Sequence, residues 1–290
     1  MSGALVAIPM LPLLAAVVIQ LAGLAPRAAA RLAVGASAVA GLGALLLLIA
    51  VGVDGPIDAV ATNSHGSAVI GLVADRVGAI LLLLTSVVGL IVQSFASRSL
   101  AGDPRATRFH MLAAVLASST ALVGVAATGS GLALAWVATS VTLIALLGHK
   151  APWPAAVRSQ RMTARSFAVG DVALLLGVVV AMITVGDIDL RVIGSEAAAL
   201  DAESVASISA LTVVAFLLVV AGIARSALVP LHAWLPSTLA APTPVSALLH
   251  AGVIIGAGVL LMRFSPVFAS SVGAMALAFA VGALTALFAT

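Results

Sequence analysis

Residues 4–25 read ALVAIPMLPLLAAVVIQLAGLA, an uncharged and almost wholly apolar run of 22 residues. At about 1.5 Å per residue a helix of that length covers the roughly 30 Å of a bilayer's hydrocarbon. The run is too long and too unbroken for the core of a signal peptide, and no small-residue cleavage site leading into a soluble domain follows it. It reads as the first membrane helix.

Working outward, further apolar windows of membrane-crossing length fall near 32–53, 72–95, 109–127, 130–148, 166–186, 206–227, 244–263 and 267–289. The sequence therefore predicts an all-α fold, a polytopic transmembrane helical bundle with about nine spans. Composition agrees: the 290 residues are 63% hydrophobic and only 8% charged, with a mean hydropathy of +1.29. An ordinary soluble domain carries about a quarter charged residues. There is no cysteine, which excludes disulfides, thiolate zinc sites and cysteine-ligated iron–sulfur clusters in this chain.

The charges alternate from loop to loop. Connections after helices one, three and five hold Arg27 and Arg31, then Arg98, Arg105 and Arg108, then Lys150, Arg158, Arg161 and Arg165. Connections after helices two and six carry Asp54 and Asp58, then Asp187, Asp189, Glu196, Asp201 and Glu203, with Arg191 as the one basic residue. Basic loops are retained in the cytoplasm, so the pattern places the N-terminus outside a cell (inner) membrane, with lipid as the surrounding partner. The basic residues form no soluble basic face, so no nucleic-acid binding is expected. Residues 187–204 are the longest polar segment and read as a solvated outer loop.

Charged side chains in hydrocarbon cost a few kcal/mol each, so they face a partner, a cavity or a pathway. Asp171 lies one turn into helix six, and can either pair with an arginine of the 158–165 cluster or serve as a proton site. Arg225 ends an apolar run before Pro230 and cannot readily release a proton itself. His232 and His250 carry imidazoles, side chains that can hand a proton between their two ring nitrogens. Arg263 ends helix eight, where snorkelling to the outer interface accounts for it.

Pro230, Pro236, Pro242 and Pro244 crowd the segment between the two histidines. Proline removes backbone donors, so this stretch is a broken seventh helix followed by a new helix starting near Pro244. Irregular backbone at membrane depth survives only where protein or a water-filled cavity surrounds it, and transporters place ion sites at such breaks. Phosphate loops, zinc-protease pairs, nucleophile elbows and dinucleotide fingerprints are absent from the sequence. No catalytic chemistry, cofactor or metal is expected in this chain.

The segment Ala224–Gly252, ARSALVPLHAWLPSTLAAPTPVSALLHAG, closely resembles the signature stretch of the antiporter-like proton-translocating subunits shared by respiratory complex I and multisubunit sodium/proton antiporters. Asp75, Trp136 and Gly170-Asp171 fall where that family has similar residues. The resemblance implies that Arg225 and His250 stand at the family's proton-pathway positions, with His232 and Asp171 beside them and Pro230, Pro242, Pro244 and Ser246 forming the broken-helix motif. Two departures matter. Respiratory subunits put a glutamate after the tryptophan of helix five, where this chain has Val137, and a lysine where it has Arg225.

AGDPRATRF (101–109), AWVATSV (135–141) and HAGVIIGAGVLLMRFSPVF (250–268) resemble the membrane subunit of DAB-type inorganic-carbon transporters, which also lacks that glutamate. This implies a cation-conducting subunit, for H+ or Na+, that energises CO2/bicarbonate uptake by a soluble, zinc-containing, carbonic-anhydrase-like partner. Family members are usually built from two inverted five-helix repeats. By that division residues 1–107 hold helices one to three, 108–265 the first repeat, and 266–290 a ninth helix that would begin a second repeat, truncated here or supplied by another chain. A pumping subunit of a respiratory NADH-quinone oxidoreductase or Na+/H+ antiporter, and a scaffold that has lost transport, remain open alternatives.

Overall fold

The computed structural model describes residues 1–62, 68–150, 153–185, 189–191, 193 and 205–289. Most of the outer loop expected at 187–204 lies outside the described residues. The helices are α1 (Ser2–Leu21), α2 (Pro26–Asp54), α3 (Arg76–Ser99), α4 (Ala106–Val125), α5 (Gly129–Leu147), α6 (Pro154–Val185) and α7 (Val205–Arg225). They are followed by α8 (Thr243–Arg263) and α9 (Val272–Phe288). Among the described residues, α1 to α6 and α8 are long and apolar enough to cross a membrane, while Ser209–Arg225 and Val272–Phe288 are shorter apolar helices. The chain is a multi-pass helical membrane protein.

One element had no counterpart in the periodicity. Between α2 and α3 stands an antiparallel hairpin, β1 (Ile57–Thr62) with β2 (Ala68–Ala74), registered Ile57 on Ala74. The apolar window from 72 had merged the end of β2 with α3. Asp75 separates them, its side chain accepting from the Gly78 amide 2.6 Å away as the N-cap of α3. The Ala127 amide bonds the Gly71 carbonyl and the Leu190 amide bonds the Ala127 carbonyl, both at 2.9 Å. Arg191 adds salt bridges to Asp58 (2.6 Å) and Asp189 (3.0 Å). These contacts tie the hairpin, the α4–α5 link and residues 189–191 together; we call this the hairpin end of the bundle.

At the opposite, arginine-rich end, His149 Nε2 lies 3.1 Å from Asp103 Oδ2, and Arg105 donates to the His149 carbonyl at 2.8 Å. Burial works against the charge on Asp103, but the Arg105 amide and the His149 ring outweigh it and hold the carboxyl below its ordinary range.

Burial follows the lipid-facing logic of a membrane bundle. On α2, Leu42, Leu46 and Ile49 are exposed, as are Val172, Leu176 and Val179 on α6, whereas small residues let helices approach one another. At Gly170 an added Cβ would stand 2.7 Å from Ala224 Cβ, which is how closely α6 packs on α7. Inside the bundle Gln93 and His110 pair between α3 and α4 at 2.6 Å.

Candidate functional site

The break in helix seven falls where the prolines predicted it, and its ends are built to bury it. α7 stops at Arg225; the Ser226 amide bonds the Gly222 carbonyl and the Leu228 amide bonds the Ile223 carbonyl. Ala227, between them, takes the left-handed conformation with φ 52°, a Schellman-type stop on a residue other than glycine. A single turn, Trp234–Ser237, and a 3-10 turn, Thr238–Ala240, fill the gap before α8. Pro242 caps α8 and Pro244 occupies its first turn. Trp234 Nε1 covers the Ala224 carbonyl at 3.0 Å.

α8 is itself interrupted by a π-helical turn over Leu249–Val253. Such turns disturb the regular backbone ladder and are frequent at functional sites. Ser226, from the broken helix, is bound to this region: its hydroxyl donates to the Ile254 carbonyl and accepts from the Ala257 amide. The two irregular stretches are thus locked to each other by a residue that sequence reasoning passed over.

Arg225 is the centre of the site. It is 97% buried by side chain, with Nη2 2.8 Å from the Trp136 carbonyl and 3.4 Å from Asp171 Oδ1. The guanidinium carbon lies 4.2 Å from the centroid of Trp136 and 4.6 Å from that of Phe167, sandwiching the cation between two aromatic rings. Gly256 makes this possible, since a Cβ there would stand 2.7 Å from Arg225 Cγ and 3.0 Å from Trp136. Ser140 donates to Asp171 Oδ1 at 2.9 Å.

Two sequence expectations change here. Asp171 pairs with Arg225 and not with the arginines at 158, 161 or 165, so a carboxylate from α6 faces the cation although Val137 fills the helix-five position. Arg263 does not snorkel. Its side chain is 13% exposed, paired with Asp75 Oδ2 at 3.3 Å and donating to the Gly124 carbonyl at 2.6 Å.

The histidines stand apart from this pair. His232 packs edge-on to Phe288, with 5.0 Å between ring centres, and its Nδ1 is buried without a hydrogen-bond partner among the described residues. His250 sits on the π-turn and is exposed, and Ser246 is half-buried one turn earlier. Among the described residues no group of three or more His, Asp or Glu side chains is placed to hold a metal ion.

Beside Arg225 a small cavity of about 20 Å³ is lined by Thr85, Thr120 and Thr139 together with the apolar Leu81, Val123 and Ile255, among others. That is room for one water molecule or two. Each threonine hydroxyl donates to a carbonyl of its own helix: Thr85 to Leu81 at 2.9 Å, Thr120 to Leu116 at 2.8 Å and Thr139 to Ala135 at 2.8 Å. A hydroxyl has one proton and two lone pairs, so the cavity wall offers acceptors. Arg225 Nη1, which has no hydrogen-bond partner among the described residues, offers a donor.

A broken helix that ends on a buried, aromatic-clamped ion pair beside a small cavity defines the class: a membrane protein built around a charge inside the bilayer. The family model described as NADH:quinone oxidoreductase/Mrp antiporter, TM matches residues 130–290, more than half of the chain. The chain belongs to that family.

Among curated relatives, it is 34% identical to the "Probable inorganic carbon transporter subunit DabB1" of Halothiobacillus neapolitanus, over 97% of this chain and 50% of that protein. It is 31% identical to an NAD(P)H-quinone oxidoreductase chain 5 of Synechocystis, over 68% of this chain and 29% of that protein. The chain therefore spans half or less of the length of these relatives.

Its fold matches a chain of the membrane-bound sulfane sulfur reductase, an archaeal respiratory membrane complex, with a TM-score of 0.80 at 19% identity, over 95% of this chain and 55% of that one. A chain of the Mrp complex from Dietzia matches with a TM-score of 0.72 at 24% identity, over 90% and 28%. Both solved neighbours are members of complexes.

Proposed function

We propose that this chain is the cation-conducting, proton-carrying part of a membrane subunit that energises inorganic-carbon uptake by a soluble, zinc-containing partner. The observation that carries the transport half is the buried Arg225–Asp171 pair at the broken helix. A guanidinium keeps its charge under physiological conditions, so Arg225 supplies a fixed positive charge inside the bilayer. Asp171, 3.4 Å away, supplies a carboxylate that can take up and release a proton, with water in the threonine-lined cavity next to the pair. His232 and His250 would carry the proton onward on either side of the break. The break gives the site an element that can rearrange.

The carbon-uptake half is supported by the 34% identity to a protein named for inorganic carbon transport, which runs along 97% of this chain. The zinc belongs to the partner in this reading, and the alternation of charged loops supports an N-terminus outside the cell membrane. Deletion of the gene from its native host should abolish growth in ambient air, and elevated CO2 should restore it. Unchanged growth in air would refute the carbon-uptake reading.

A second reading, a pumping subunit of a quinone reductase or of a multisubunit Na+/H+ antiporter, is favoured by the 31% identity to a quinone-oxidoreductase chain. Purification from native membranes separates the two. One large zinc-bearing partner supports carbon uptake, whereas flavin and iron–sulfur subunits support the redox enzyme.

A further inference from the structure

At the hairpin end a second cavity of about 470 Å³ is lined by Asp75, Arg191, Arg263, Val73, Val77 and Met262, among others. It stands above the small cavity beside Arg225, and the two approach one another at Gly124. Gly124 lines the inner cavity, and its carbonyl accepts from Arg263 Nη2 at 2.6 Å. On α8, Val259 lines the inner cavity while Arg263, one turn on, lines the outer one.

We infer that Asp75 and Arg263 form a gate that closes the Arg225–Asp171 site off from the hairpin end. Three features hold the guanidinium across the gap: the Gly124 carbonyl at 2.6 Å, Asp75 Oδ2 at 3.3 Å, and the missing side chain of Gly78, where a Cβ would come within 2.8 Å of Arg263 Nη2. Asp75 cannot drift, because its other oxygen caps α3 through the Gly78 amide at 2.6 Å.

The pair spans 188 residues of sequence and ties the start of α3 to the end of the interrupted α8. A rearrangement of α8 at its π-turn would therefore move the gate and the Arg225 pocket together. A fixed cation at a constriction is also an electrostatic barrier to a passing cation. Among the described residues the other charge lining this cavity, Arg191, is held by Asp58 and Asp189.

The inference rests on Arg225–Asp171 being the transfer site, but its test does not require transport. This chain has no cysteine, so a single thiol introduced into it, membrane-embedded, can be probed with Ag+, a thiol-reactive cation of about the size of a water molecule. The thiols left after quenching are tagged with a maleimide in denaturant. Val77→Cys, in the outer cavity, should react from the hairpin side in every background and so report insertion.

Thr120→Cys, in the inner cavity, should react slowly in the parent and at least ten times faster with either Asp75→Asn or Arg263→Gln. Asp75→Asn keeps an oxygen to cap α3, so it stays folded if Arg263→Gln does not. Asp75→Glu should leave Thr120→Cys protected. Equal Thr120→Cys rates in the parent and in Asp75→Asn, whether both fast or both slow, would overturn the gate. Absence of ion flux in an otherwise gated protein would overturn the transport reading alone.

Discussion

The carboxylate of Asp171 faces the guanidinium of Arg225 at 3.4 Å across the α6–α7 contact, 54 residues apart in the chain, with Trp136 beneath the cation. Removing one member of a buried pair strands the other, at a cost of about 3–5 kcal/mol. Asp171→Asn is therefore expected to lower the thermal midpoint of the detergent-solubilised protein and to stop ion flux. Replacing both charges with apolar residues, Asp171→Leu with Arg225→Met, should recover much of the stability but none of the flux. A double variant that conducts normally would show that the pair is structural only.

Gly256 tests the same pocket from another side. A side chain there must displace Arg225 or the Trp136 ring, because a Cβ would sit 2.7 Å and 3.0 Å from them. Overpacking of this kind costs about 1–3 kcal/mol. Gly256→Val should insert and assemble but lose at least nine-tenths of its flux, and Gly256→Ala should fall between it and the parent. Proteoliposome flux measured alongside thermal midpoints checks the order.

These two sites show what the sequence made legible. The membrane class and the broken helix could be read because they are local: a 22-residue apolar run and four closely spaced prolines act on their own backbone. Arg225 could be singled out as a charge in an apolar run. Its partner could not, since whether Asp171 pairs with Arg225 or with the arginines nearer in sequence at 158, 161 and 165 depends on how α6 docks on α7. Arg263 was misread for the same reason: a helix-end arginine looks free to snorkel until the fold sets Asp75 and Gly124 beside it. The hairpin escaped because β2, AVIGLVA, is too short for its period to stand out from the apolar helix that follows.

Asp103 makes a pH prediction outside the membrane. Its carboxyl is held below the ordinary value of 3.8 in the folded protein, so the unfolded chain binds more protons in that range and stability rises with pH. The contribution of the Asp103–His149–Arg105 clasp is thus complete above the ordinary carboxylate value and is lost as pH falls through the lower folded one. Asp103→Asn should cost about 1 kcal/mol at neutral pH. The gap between parent and variant midpoints should hold from pH 6 down to about pH 4 and narrow only as the pH falls further. A gap independent of pH would assign the loss to packing.

The threonines beside Arg225 separate a hydrated pathway from a merely polar core. Each hydroxyl already donates within its own helix, so replacing Thr85, Thr120 and Thr139 with valine, close in shape, removes three local bonds of about 1 kcal/mol each at most. Such local bonds compete with the helix as much as they support it, so the triple variant should fold with a midpoint within several degrees of the parent. What valine takes away is the three hydroxyls among a lining otherwise apolar apart from Arg225, and a wholly apolar cavity stays dry. A proton that moves through water there would lose its path, and flux should fall at least tenfold while the Asp171–Arg225 pair remains intact. Thr139→Val alone, leaving two acceptors, should lose less. If the triple variant conducts like the parent, protons reach Asp171 by another route.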